Sequence, residues 1–476
     1  MVIGSIKRLV AGSGGALLAT FLGMPILTRQ YSPDVYSAWV LFLTVGMALG
    51  SIAALRIELA VVLPKSDSDA AALWVLGCFI SFSMGLVSVL FVYGVSKLIL
   101  GEYHDVLNPY IPIIGLWIFC TGLLENSVSW MTRKKYFGAL AILNFLVPVL
   151  TVFAQLILAK PSNKQIWGLV VGGMLAQGLG TALAVCIAIY RDKKVLLTAG
   201  AVRMSYRQIV KYRVYPTYMT MFAILTSIRN RLVLFVVGNS SIPGGAAFYG
   251  LAQRFTNVPN RIASAALRPV FFQRATNLGF HEIQTEVMFV LFAIVGLALP
   301  PWMAFLFHAN DMSGLVFGEA WRETGFYASV ISISAMPMLL TNWLDRAFDS
   351  LGRQRLSFCL EVVFSIVSVF GLCWGALYMK NLIVGIFIQS VIVGLYYWFW
   401  LWMLFKVSGY KNTLIVKLFI SFLLMGGFCG LVNDYLAKWL PFPAAPILAC
   451  LIGYIPPSWL IYRRRHDLKR MITKQT

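Results

Sequence analysis

The feature that constrains this chain most is a recurring run of about twenty apolar residues, the length a helix needs to cross a bilayer core. Such runs fall near 9–28, 36–63, 70–97, 110–131, 137–159, 166–190, 213–237, 246–270, 285–308, 324–345, 357–378, 381–405, 414–432 and 444–462, about fourteen in all. Strands that span a membrane need only about ten residues, so these runs read as helices, which satisfy their own backbone in lipid. Composition agrees. Of 476 residues, 59% are hydrophobic and 12% charged, whereas a water-soluble domain carries about 25% charged residues. The expected fold class is an all-α polytopic membrane protein.

The net charge of +21, from 39 Lys and Arg against 18 Asp and Glu, first suggests nucleic acid. The positions exclude that reading, because the basic residues sit in short loops between apolar runs and form no continuous groove. One alternating set of loops, with the two ends, carries 27 of them, including Lys65, Arg133, Lys134, Lys135 and the stretch from Arg191 to Arg213. The opposite set carries seven: Arg29, Lys97, Lys160, Lys164, Arg322, Lys380 and Lys438. Positive loops stay in the cytoplasm, so both termini are expected there and the number of spans is even.

The basic stretch from Arg191 to Arg213 follows the sixth run. The simplest organisation is a first lobe over residues 1–197 (spans 1–6) and a second over 198–405 (spans 7–12). A helix pair with a basic cytoplasmic tail then occupies 406–476. Paired repeats of this kind bind substrate between halves in many secondary transporters. No loop is long enough to fold as an extramembrane catalytic domain. The seven cysteines lie in apolar runs without a Cys-x-x-Cys pair, and the four histidines lack ligand spacing. They indicate neither a disulfide framework nor a metal, and no cofactor is expected. The cysteines read as small core residues.

Five basic residues remain inside the runs: Arg56, Arg229, Arg231, Arg254 and Arg261. Glu58, Glu125 and Glu361 share that setting. A charge at mid-membrane costs about 2.5–3.5 kcal/mol on insertion scales, so each should face a cavity or a partner. In the eighth run, Arg254, Asn257, Arg261 and Arg268 are spaced to share one helix face, with Pro259 placed to kink it. Guanidinium forks suit phosphate oxygens, two at a time. The competing reading is that these arginines pair with the three glutamates or snorkel to an interface. Arg229 and Arg231 divide evenly between the two. Arg56 and Glu58 stand two apart, so along a helix they should not meet. Glu125 is read as an arginine's partner or as a proton or sodium site. Glu361, near a span end, reads as snorkelling, and the aromatic run Tyr396–Trp400 as an interfacial belt.

Several segments carry a family resemblance. They are Arg56-Ile-Glu58-Leu-Ala60-Val-Val-Leu63-Pro64 running into Asp69-Ala70, Pro25-Ile-Leu-Thr-Arg29, and Tyr31-Ser-Pro-Asp34-Val-Tyr36. Val316-Phe317-Gly318-Glu319-Ala-Trp321 and Gly352-Arg353 complete the set. Together they resemble bacterial polysaccharide-biosynthesis flippases of the Wzx type, in the multidrug/oligosaccharidyl-lipid/polysaccharide exporter superfamily, over most of the first 360 residues. The resemblance implies two six-helix lobes arranged as a V, here with an added C-terminal helix pair. It implies translocation of an undecaprenyl-pyrophosphate-linked oligosaccharide, such as an O-antigen repeat unit, across the bacterial inner membrane by alternating access. The partners implied are that lipid-linked glycan, membrane lipids, a polysaccharide polymerase and a chain-length regulator, with no nucleic acid.

The related lipid II flippase has essential arginines in its first, second and eighth spans. Arg56 and the pair Arg254/Arg261 match the second and eighth, while Arg8 and Arg29 flank the first. The expected pyrophosphate ligands are thus Arg56, Arg254, Arg261, Asn257 and Arg229, with Glu58 and Glu125 as ion pair or coupling-ion site for H+ or Na+. Two rival classes fit the residues less well. A drug or cation exporter favours acidic pockets, against the net-positive interior. A polymerase or ligase favours a large outer loop, which is missing.

Overall fold

A computed structural model describes residues 2–159, 166–196, 210–213, 215–240 and 242–458. Among these there is no strand, and the chain divides into two compact units, one ending at Leu251 and the other beginning at Ala252. Nine stretches among the described residues are long and apolar enough to cross a membrane. One of the nine, Asp67–Arg133, itself contains two long helices. The figure of fourteen stays an expectation: the runs at 213–237 and 246–270 form helices that are not among the nine. Most of the basic stretch from Arg191 to Arg213, and the basic tail, lie outside the described residues.

The first unit holds α1 (Val2–Gln30), α2 (Pro33–Gly50), α3 (Asp67–Leu100), α4 (Ile111–Arg133), α5 (Phe137–Ile157) and α6 (Trp167–Leu196). α7 (Thr220–Gly238) completes it, with the start of α8 (Gly245–Thr256). Here α1 packs along α5, α3 along α4, α5 along α6, and α2 against α4 and α7. Between lipid-embedded helices there is no hydrophobic drive, so close backbone approach must supply the contact energy. Gly85 of α3 and Gly115 of α4 provide it: a Cβ on Gly115 would lie 2.7 Å from the Gly85 carbonyl oxygen. Trp39 and Phe42 of α2 pack on Trp117 of α4, with ring centroids 6.2 Å apart in both pairs. On the other faces large apolar side chains point away from protein, Leu90 and Leu98 being 74% and 79% exposed. Such a surface is stable only against lipid.

The second unit holds α9 (Val258–Leu278), α10 (Gln284–Phe307), α11 (Thr324–Thr341), α12 (Gln354–Cys373), α13 (Leu382–Val407), α14 (Asn412–Trp439) and α15 (Ala444–Gly453). α13 packs between α11 and α12, while α14 and α15 pack on α10. Pro300 and Pro301 lie inside α10, and Pro301 brings no N–H to the Leu297 carbonyl four residues back. The hydroxyl of Tyr454, next after α15, donates to that carbonyl at 2.9 Å.

The second apolar run is not one helix. α2 ends at Gly50, and turns lead to a short 3-10 helix over Ile57–Val62. Leu55 and Arg56 are left-handed, at φ 49° and 59°, a conformation that costs a residue with a Cβ about 1–2 kcal/mol. The cysteines also differ from expectation. Cys120 and Cys429 are buried as core residues, but Cys186 and Cys359 are exposed.

Candidate functional site

In the first unit the broken segment corrects the expectation about Arg56 and Glu58. Their spacing forbids contact only on a helix, and Arg56 is not on one. The left-handed turn brings Arg56 Nη1 to 3.6 Å from Glu58 Oε1, with side-chain exposures of 32% and 7%. The other carboxylate oxygen of Glu58, Oε2, is buried without a hydrogen-bond partner among the described residues. Glu125, exposed on α4, lies within electrostatic range of both Arg56 and Glu58. The three residues therefore form one group of charges, with two acids around a half-open guanidinium.

Among the described residues Arg231, on α7, meets no acid: its Nη1 contacts Met47 Sδ at 3.6 Å and its Nε is buried without a hydrogen-bond partner. Arg229 lies on the same helix, but its side chain falls outside the described residues.

In the second unit the expected kink is present. The helix is interrupted at Asn257, with Pro259 in the first turn of α9. Asn257 turns its amide back to the Gln253 carbonyl at 2.8 Å, while Asn260, fully buried, donates to the Ala335 carbonyl of α11 at 3.1 Å. That bond fixes the rotation of α9. Arg254 is half-buried and Arg261 exposed. Arg261 has no acidic partner among the described residues, and the charge acting on it is Arg254, of the same sign. Arg268 leaves the stripe. Its guanidinium donates to the Asn342 carbonyl at 3.1 Å and pairs with Asp345 at 3.0 Å. Glu361 does not simply snorkel, because the Tyr396 hydroxyl donates to its Oε2 at 3.4 Å.

One constellation escaped the sequence reading. Arg133 and Lys134, taken as loop charges, both bind Asp67, at 2.9 Å and 2.6 Å. Hydrogen bonds from Lys134 and Arg133 hold the Asp67 carboxyl below its ordinary range. Asp192 accepts from Trp130 Nε1 at 3.0 Å and from the Tyr136 hydroxyl at 3.1 Å. Only the presence of acids at helix starts and basic residues at helix ends hinted at these pairs.

An all-helical chain with arginines on interrupted helices and apolar outer faces defines the class: a multi-span membrane protein with a transporter fold. The comparisons agree. The chain is similar to the lipid II flippase MurJ in an inward closed conformation, at 13% identity and TM-score 0.73, over 95% of this chain and 99% of that one. It is similar to an inward-facing multidrug-resistance MATE transporter of the MOP superfamily, at 15% identity and TM-score 0.57, over 85% and 95%. A MOP superfamily transporter from Pyrococcus furiosus shares 14% identity at TM-score 0.51, over 85% and 96%, and its structure is described as having a binding pocket of reversed polarity. At these identities the likeness is one of fold. The model of the polysaccharide biosynthesis protein family matches residues 26–325, and the chain belongs to that family. A search of curated proteins gave no sequence match.

Proposed function

We propose that this protein is a flippase carrying an undecaprenyl-pyrophosphate-linked oligosaccharide, of the O-antigen or exopolysaccharide type, from the cytoplasmic to the outer leaflet of the bacterial inner membrane by alternating access. One observation carries the reading: Arg261 is an exposed arginine on a helix of the membrane domain, and its charged neighbour is another arginine. An exposed guanidinium whose charged neighbour has the same sign is costly in a low-dielectric setting and is stabilised by an anion. A pyrophosphate supplies that anion in the geometry guanidinium forks bind. Arg254 and Arg261 are the proposed primary ligands, with Arg56, Asn257 and Arg229 as further ones. Glu58 and Glu125 act on Arg56 as competing acids or as the site of a coupling proton or sodium ion. Membership in the polysaccharide biosynthesis family supports a glycan cargo. The loop charges support cytoplasmic termini.

The test is the location of the lipid-linked oligosaccharide in cells depleted of the protein. Accumulation on the cytoplasmic leaflet, accessible only after the membrane is permeabilised, is expected. Unpolymerised units accumulating on the outer face would overturn the proposal in favour of a polymerase.

A further inference from the structure

We infer that Arg133 is a positioning residue that sets the conformation of the Arg56–Glu58 turn, an inference that rests on the proposed role of Arg56 as a pyrophosphate ligand. A guanidinium has five N–H donors and no acceptor. Those of Arg133 are directed to acceptors within one short stretch of chain. Nε donates to Asp67 Oδ1 at 3.0 Å, and Nη2 to the same oxygen at 2.9 Å. Nη1 donates to the carbonyls of Val62 at 3.3 Å and Pro64 at 2.5 Å, and Nη2 also to that of Lys65 at 3.4 Å. The side chain is 11% exposed. A guanidinium committed in this way has no donor left for a ligand.

What it holds is the far end of the broken segment. Between Gly50 and Asp67 the chain has no long helix, and its carbonyls at 62, 64 and 65 lie near a membrane boundary where few internal donors are available. Arg133 satisfies all three from the last turn of α4. The near end is fixed where α2 runs out at Gly50. With both ends anchored, the left-handed pair Leu55 and Arg56 has one accessible arrangement, and the Arg56 guanidinium is presented beside Glu58. Lys134 shares Asp67 through its other oxygen, Oδ2, but contributes a point charge rather than a fork. Lysine in place of Arg133 would keep the charge and lose the simultaneous grip on three carbonyls.

The experiment uses the full-length protein in lipid nanodiscs, with undecaprenyl pyrophosphate as the binding probe and a spin label at Leu59→Cys, an exposed site, in a background lacking the native cysteines. Arg133→Lys is expected to raise Kd about tenfold and to increase label mobility, with the protein still monodisperse. Asp67→Asn, which removes one leg of the clamp, should move both readouts the same way by about threefold or less. Arg56→Gln should weaken binding without loosening the label, and adding Arg133→Lys to it should cause little further loss. Wild-type label mobility in Arg133→Lys overturns the inference. Unchanged affinity in Arg56→Gln overturns the ligand role of Arg56 instead, and leaves the mobility readout to decide the positioning claim.

Discussion

The two units handle a guanidinium in lipid in opposite ways. Arg56 sits in a non-helical turn, beside Glu58 and within range of Glu125, so its charge is offset within its own segment. Arg261 sits on a regular helix with no acid among the described residues, and Arg254 adds a second positive charge. The difference separates a group that must be released before it can bind an anion from one that is ready for it. A neutralised arginine is stable without substrate. An arginine whose charged neighbour has the same sign gains most when an anion arrives, and Arg261 therefore should dominate affinity.

Breaking the Arg261 side should have the largest effect. Arg254→Ala and Arg261→Ala are each expected to abolish surface polysaccharide at normal protein levels, and to raise Kd for undecaprenyl pyrophosphate by about thirtyfold, or 2 kcal/mol. Wild-type polysaccharide in both variants would remove the contrast altogether. A second test asks what the exposed face of α9 meets. In a cysteine-free background, Arg261→Cys should react with a membrane-impermeant thiol reagent and Leu90→Cys should not, since only a hydrated thiol ionises; equal protection of both would place Arg261 against lipid. The compensated side gives a smaller effect of the opposite sign. Glu58→Gln frees Arg56 from a pair worth about 1 kcal/mol, so affinity should rise by about fivefold, measured by titration with the same lipid; a fall would make Glu58 a ligand-supporting group instead. The smallest effect concerns Asp67. Its folded pKa is lowered, so it contributes stability above the unfolded value near 3.9 and loses it as pH falls through the folded value. Because Asp67 is 46% exposed, the advantage over Asp67→Asn should be under about 1 kcal/mol at pH 6 and decline as pH falls below about 4, read by thermal unfolding.

How much of this was legible in the sequence differs between the same two regions. The break at Asn257 was visible because Pro259 announces it through a missing N–H. The break after Gly50 was not: from Ser51 to Leu63 the chain is apolar but for Ser51, Arg56 and Glu58, and no glycine or proline marks the left-handed Leu55 and Arg56. Contact between Arg56 and Glu58 was therefore ruled out on a helical spacing that the segment does not have. Arg268 looked equivalent to Arg261 by period, but its fate depends on Asp345, 77 residues away in sequence, and periodicity carries no information on such a partner. Arg133 was counted toward orientation for the same reason. A charge near a helix end satisfies the orientation rule whether it is solvated or spent on neighbouring carbonyls, and composition does not separate the two. The membrane class and the family were legible because they rest on long apolar runs and on residues adjacent in sequence.

The hydroxyl of Tyr454 on the Leu297 carbonyl has a bearing on biogenesis. Chain order puts α10 into the bilayer well before Tyr454 leaves the ribosome, so during synthesis that helix carries a carbonyl stripped of its donor by Pro301, at a depth where water is scarce. The donor that replaces the missing N–H is therefore the last part of this contact to be made. A chain stopped after Val407 would lack that donor, and Leu297 would keep a carbonyl without its helical partner.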